Sequence, residues 1–133
     1  MPFYLLDTNI VSAALRDTRG ACAARIGTMD AAALCTSIVV AAELRFGVAK
    51  KGSAELARRV EQALSTLRVL PLDGDVDRHY GRLRAGLERC GQPIGANDML
   101  IAAHALAIDA VLVTDNVSEF SRVPDLRYEN WLA

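Results

Sequence analysis

The chain has 133 residues, of which 52% are hydrophobic and 23% charged, and its formal net charge is -1. That is one domain's length with ample apolar material for a core, which excludes intrinsic disorder, and the near-neutral balance excludes a globally basic nucleic-acid binder. Cys22, Cys35 and Cys90 form no CxxC pair and have no His at zinc-finger spacing, so neither a disulfide framework nor a zinc site is expected.

In chain order, residues 3–6 read as a short buried strand ending at Asp7. Thr8 or Asn9 can cap a helix through about residue 16, and a second short helix fits 21–29. Residues 33–36 read as a strand, and Ser37 is a good N-cap for a helix to about Lys50, which Gly52 ends. Ser53 opens a helix to about 67, followed by a short strand at 68–71. A long helix over 73–90 closes at Gly91, and a further helix runs from about 96 to 108. Residues 110–113 read as a strand, 118–121 as a turn or short helix, and 126–131 as an edge strand. No apolar stretch is long enough to span a bilayer and no signal-peptide pattern is present, so a cytoplasmic chain with reduced thiols is expected.

Strands alternating with helices imply a single α/β domain over residues 1–133, with a mainly parallel central sheet flanked by helices. In such sheets the site lies beyond the carboxyl ends of the strands. Asp7 and Asp115 stand at two such ends. Between Arg45 and Arg89, basic and acidic residues are interleaved. The pattern suits a solvated helical surface, or alternatively a basic rim for phosphates.

Two more acids sit in unexpected company. On a helix, Glu43 has Val39, Val40, Phe46 and Gly47 as its neighbours three and four positions away. A carboxylate on that apolar face needs a cation or hydrogen-bond donors; the alternative is a position at the stripe's edge, paired with a surface Arg. Asp98 is the only formally charged residue from Cys90 to Ile108. It either caps its helix or, if Asn97 caps instead, is free for another task. His104 shares a face with Leu100, Ile101 and Ile108 and reads as a core-edge histidine. Acids from four separated segments can converge only if something offsets their repulsion. Hard divalent cations do so, and can also activate water and orient a phosphate.

The ordered blocks Leu5-Leu6-Asp7-Thr8-Asn9, Ser37-Ile38-Val39-Val40-Ala41-Ala42-Glu43-Leu44 with Gly47, Gly95-Ala96-Asn97-Asp98-Met99-Leu100-Ile101-Ala102, Val113-Thr114-Asp115-Asn116 and Glu119-Phe120-Ser121-Arg122-Val123-Pro124 with Glu129-Asn130-Trp131 resemble the PIN-domain ribonucleases, specifically the VapC toxins of bacterial toxin–antitoxin pairs. The resemblance spans essentially the whole chain. It implies a PIN-like domain and a Mg²⁺-dependent endoribonuclease, with Mn²⁺ as the alternative ion, and maps the family's acids onto Asp7, Glu43 and Asp98. The family's fourth acid falls at Asn116, beside Asp115, so that corner is open between Asp115 as ligand, Asn116 binding through its carbonyl or a water, and a three-acid site. Asn9 and Thr114 resemble residues that orient the acids by hydrogen bonds. The resemblance further implies a VapB-like antitoxin as partner, a homodimer, and an RNA substrate that in several members is tRNA. On this expectation Asp7 and Asp98 bind metal directly, and Glu43 and Asp115 hold its waters or a second ion. The rival readings are a PIN-like RNA- or partner-binding module without activity and a haloacid-dehalogenase-type phosphatase, whose motif would need an Asp where Asn9 stands.

Overall fold

Three short buried strands build the centre of a five-stranded parallel sheet. The computed structural model describes residues 2–132, so Met1 and Ala133 of the expected 1–133 domain lie outside the described residues. β1 (Tyr4–Leu6), β2 (Leu34–Ser37) and β4 (Val111–Val113) are buried along their whole length. Central strands of parallel sheets are covered on both faces; β1 and β4 meet this with apolar runs, and in β2 the buried Thr36 donates to the Leu6 carbonyl at 2.7 Å while the Ser37 hydroxyl accepts from the Val39 N–H. β3 (Arg68–Leu70) and β5 (Tyr128–Glu129) are more exposed and form the edges. The strand order is β3-β2-β1-β4-β5, and every pair is parallel. Leu6 is in register with Thr36 on one side and Val113 on the other.

The connecting helices are α1 (Thr8–Arg16), α2 (Ala21–Thr28), α3 (Ile38–Lys51), α4 (Ala54–Thr66), α5 (Val76–Arg89), α6 (Ala96–Ala107) and the short α7 (Val117–Phe120). α1 packs on α2, α3 and α4, whereas α5 packs on α6. Two crossovers carry the chain outward from β1 to β3, and the α5–α6 segment carries it back across to β4. The strand order therefore reverses between β1 and β4, which opens a crevice at their carboxyl ends.

Local chemistry sets most boundaries as the sequence suggests. The Ser37 hydroxyl accepts from the Val39 N–H at 3.1 Å and starts α3; Gly52, at φ +65°, ends it. Ser53 caps α4 through the Leu56 N–H at 3.2 Å. Four details differ from expectation. Asp7, not Thr8 or Asn9, is the N-cap of α1. α5 begins at Val76 rather than 73, because residues 73–75 turn around Gly74 at φ +60°. A 3-10 turn at Ala31–Ala33, capped by Asp30, precedes β2. α6 has Gly95 at its N-cap and no side-chain cap at all, so neither Asn97 nor Asp98 serves there.

The core runs through the sheet into α3, α6 and the C-terminal segment. His104 is inside it rather than at its edge, 1% exposed, with Nδ1 at 2.8 Å from the Ser37 hydroxyl. Burial lowers its pKa, so the neutral ring is favoured. Cys22 and Cys35 are buried and Cys90 is exposed; all three are free thiols. Among the described residues no helix is long and apolar enough to cross a membrane.

Phe120 has no exposed surface and anchors α7 against the core. Phe120→Ala is expected to cost about 3–5 kcal/mol, seen as a lower urea midpoint at unchanged slope. A loss under about 1 kcal/mol, less than large-to-small core substitutions cost, would show that α7 is not held by this side chain.

Candidate active site

The crevice between β1 and β4 is lined by acids whose positions are fixed by their own elements. Asp7 follows β1 directly, and its backbone N–H continues the ladder by donating to the Val113 carbonyl at 2.9 Å. Its side chain is nearly buried, 5% exposed. Oδ1 accepts from the Thr8 N–H at 2.8 Å, and Oδ2 accepts from the Thr114 hydroxyl at 2.7 Å. Thr114 is itself fully buried, and its oxygen accepts from the Asn116 N–H at 3.0 Å. A hydroxyl has a single proton, so with the amide occupying its oxygen that proton is directed at Asp7. Desolvation raises the Asp7 pKa, Thr114 and Thr8 pull it back, and the negative charges of Glu43 and Asp115 push it up again.

Glu43 projects from α3 and is half-buried. One oxygen accepts a short hydrogen bond from the Thr8 hydroxyl, and the other accepts from Asn97 Nδ2 at 3.4 Å. Among the described residues it does not pair with an Arg; Arg45 bridges to Glu61 instead. Nor is its face of α3 wholly apolar core, since Phe46 is 68% exposed. Glu43 stands at the stripe's edge and leans over the crevice.

Asp98, in the first turn of α6, meets Glu119 of α7. The two carboxyl groups share a hydrogen bond, and Asn116 Nδ2 donates to both, at 3.2 Å to Asp98 and 2.7 Å to Glu119. Desolvation, the bond to Glu119 and the surrounding carboxylates push the Asp98 pKa up to about 8. The bond from Asp98, the Asn116 amide, the Gly95 N–H and the Arg122 charge hold Glu119 below its ordinary value. The two carboxyls therefore hold a proton unequally, Asp98 more tightly than Glu119.

The structure thus brings Asp7, Glu43 and Asp98 together with Thr114 and Asn116. Asp115 lies on the exposed rim, where its carboxylate accepts from Asn9 Nδ2 at 3.0 Å and its charge still reaches Asp7. Asn116 spends its amide as a double donor. Glu119 lies beside Asp98 and Asn116, at the corner where the sequence offers Asp115 or Asn116. It was legible only as an acid three residues past Asn116, next to an apolar Phe120. Thr8 and Asn97, which steady Glu43, were read as helix-cap candidates.

The donor set is all oxygen and acid-rich, which suits a hard divalent cation rather than zinc. Among the described residues no three such side chains are drawn together tightly enough to enclose an ion as they stand. The proton between Asp98 and Glu119 offsets part of the repulsion that a cation would offset more fully.

Comparison with known proteins places this arrangement. Residues 4–126 match the model of the PIN domain. The chain is 38% identical over 130 residues to Ribonuclease VapC2 of Rickettsia felis, covering 96% of this chain and 97% of that one. It is 35% identical over 129 residues to the tRNA(fMet)-specific endonuclease VapC of Shigella flexneri, at 96% and 97% coverage. Among solved structures, the VapBC2 complex of Rickettsia felis bound to a DNA fragment from its promoter aligns with a TM-score of 0.88 and 36% identity, over 97% of this chain and 98% of that one.

A carboxyl whose pKa is raised by folding stabilises the fold below its unfolded value and loses that contribution as pH climbs toward the folded value. For Asp98 the window runs from about 4, the unperturbed carboxyl value, to about 8. In chelator, the Tm is expected to fall as pH rises across this window, and Asp98→Asn, which cannot ionise, to flatten the fall. Identical Tm profiles for the two proteins would contradict the shared proton.

Proposed function

This chain belongs to the PIN-domain family, among the VapC ribonucleases, and we propose that it cuts RNA at the crevice between β1 and β4 as the toxin of a toxin–antitoxin pair. The observation that carries the reading is four acids from β1, α3, α6 and α7 meeting at the one place where the strand order reverses. Nucleases of this family depend in general on a divalent metal. The proposed ion is Mg²⁺, with Mn²⁺ as its substitute, and the proposed ligands are Asp7, Asp98, Glu43 and Glu119. Asp115, on the rim beside Asn9, serves at most a more distant water or ion. When bound, such a cation would supply positive charge at the phosphate and lower the pKa of a water so that it can give up a proton to a nearby base and attack.

The chain's own residues supply the rest. Thr114 and the Thr8 N–H fix both oxygens of Asp7 before substrate arrives, so no reorganisation is needed during the reaction. Thr8 holds one oxygen of Glu43, while the other has only the long bond from Asn97. That second oxygen is the one placed to take a proton from an attacking water. Asn116 keeps Asp98 and Glu119 side by side.

The Shigella flexneri relative is named for tRNA(fMet), and the Rickettsia felis structure is a toxin–antitoxin complex. On that footing the proposed substrate class is tRNA, and the proposed partner is a VapB-type antitoxin that keeps a cytoplasmic, homodimeric toxin inactive. The phosphatase alternative loses its support, because the family is a nuclease family. An inactive binding module has little either, since the relatives are named as ribonucleases.

Asp7→Asn preserves shape and removes charge; it is expected to abolish Mg²⁺-dependent cleavage of tRNA while leaving the far-UV circular dichroism unchanged. Thr114→Val is expected to lower cation affinity or rate by about 10–100-fold. Full cleavage by Asp7→Asn, or by the wild-type chain in EDTA, would contradict the proposed site.

A further inference from the structure

Thr8 and Glu43 face two ways. Besides the acid cluster they line a cavity of about 270 Å³ enclosed by α1, α3 and α4. Its floor is aliphatic, made by Leu15, Leu44, Leu56 and Val60, and Ser12 adds one hydroxyl. Its rim carries the cations Arg16, Lys51 and Arg59. Arg59 is committed within the fold: its guanidinium donates to the Leu15 carbonyl at 3.3 Å and to Glu55 at 3.2 Å. Arg16 and Lys51 are exposed, and among the described residues their side chains make no hydrogen bond or ion pair. Elsewhere Arg45, Arg84 and Arg127 are neutralised by Glu61, Glu88 and Asp109.

The charge layout poses a problem that this groove answers. A cluster of carboxylates repels a polyanionic strand, and the net charge of -1 provides no general attraction. Cations beside the cluster must then bring the phosphodiester in, because exposed charges act over only about 8–10 Å at ordinary salt. The groove continues directly from Glu43, so a strand cut at the cluster can lay its adjoining nucleotides along it, between Arg16 and Lys51. Its aliphatic floor can cover a base face without base-specific hydrogen bonds, apart from the single Ser12 hydroxyl.

Resting on the nuclease reading above, we propose that this groove is the subsite for the RNA strand next to the scissile phosphodiester. Arg16 and Lys51 hold backbone phosphates, and the floor of Leu15, Leu44, Leu56 and Val60 receives a nucleobase. Both cations are binding residues, and neither acts on the reacting atoms.

The test is steady-state cleavage of a fluorescent single-stranded RNA oligonucleotide in Mg²⁺ across a salt series. It compares the wild-type chain, Arg16→Gln/Lys51→Gln, and the equally charged control Arg78→Gln/Arg82→Gln on α5, outside the groove. The first pair is expected to raise KM roughly tenfold at near-constant kcat and to make the salt slope of log(kcat/KM) shallower by about 1.4, the value for two lost single-strand phosphate contacts. The control should move neither, and Arg16→Lys should keep a wild-type KM. An unchanged KM and slope in the first pair would overturn the subsite, as would an equal shift in the control. So would a first pair with wild-type RNA kinetics that escapes inhibition by a VapB-type antitoxin, which would assign the groove to protein docking. Absence of cleavage by the wild-type chain would instead overturn the nuclease reading, and the subsite with it.

Discussion

The hydrogen bond from the Thr114 hydroxyl to Asp7, at 2.7 Å, joins the two central strands at the point where their order reverses. An ionised carboxylate with 5% exposure is costly to bury unless its oxygens are matched by donors. Asp7 meets that demand with one backbone N–H and one hydroxyl. Both donors depend on the fold being complete. The Thr8 N–H is placed by the start of α1, and Thr114 by the pairing of β1 with β4. A long-range connection across the β1–β4 seam, from residue 7 to residue 114, therefore also sets the most buried acid of the site.

From that fixed point the other acids are graded by how far they depend on one another. Glu43 is held by polar neighbours and stays half-exposed. Asp98 and Glu119 are crowded enough to share a proton, with Asp98 pushed up to about 8. Crowded carboxylates destabilise a fold unless a proton or a cation intervenes, and the site accepts that strain in the interest of binding charge. The outer face of the crevice has the opposite character, since Arg16 and Lys51 in the groove beyond Glu43 have no acidic partner among the described residues. The overall charge balance of the chain conceals this division into an acidic centre and a basic approach.

The fold was legible because its signals are local. Short apolar runs made the buried strands, and Ser37, Gly52 and Ser53 marked helix ends by hydrogen-bond chemistry that nothing distant overrides. Asp7, Glu43 and Asp98 stood out as charges in apolar company. Glu119 did not, because its segment is short and polar and its only anchor is the neighbouring Phe120. Asp115 was chosen for its place directly after β4, where period-two alternation argues otherwise. Thr114 lies beside Asp7 and points into the crevice, so the next residue points away. The capping of α6 was misread because a backbone N-cap, Gly95, leaves no side-chain signature, and this freed both Asn97 and Asp98 for the site.

The central claim is that these acids are a cation site. It is tested most directly by crystals of this chain soaked in Mn²⁺ and examined by anomalous scattering. The account predicts a peak in the crevice within coordination distance of the Asp7 and Asp98 carboxylates, with Glu43 or Glu119 completing the protein ligands. Mn²⁺ bound elsewhere, with the Asp98–Glu119 hydrogen bond intact and the crevice empty, would contradict it.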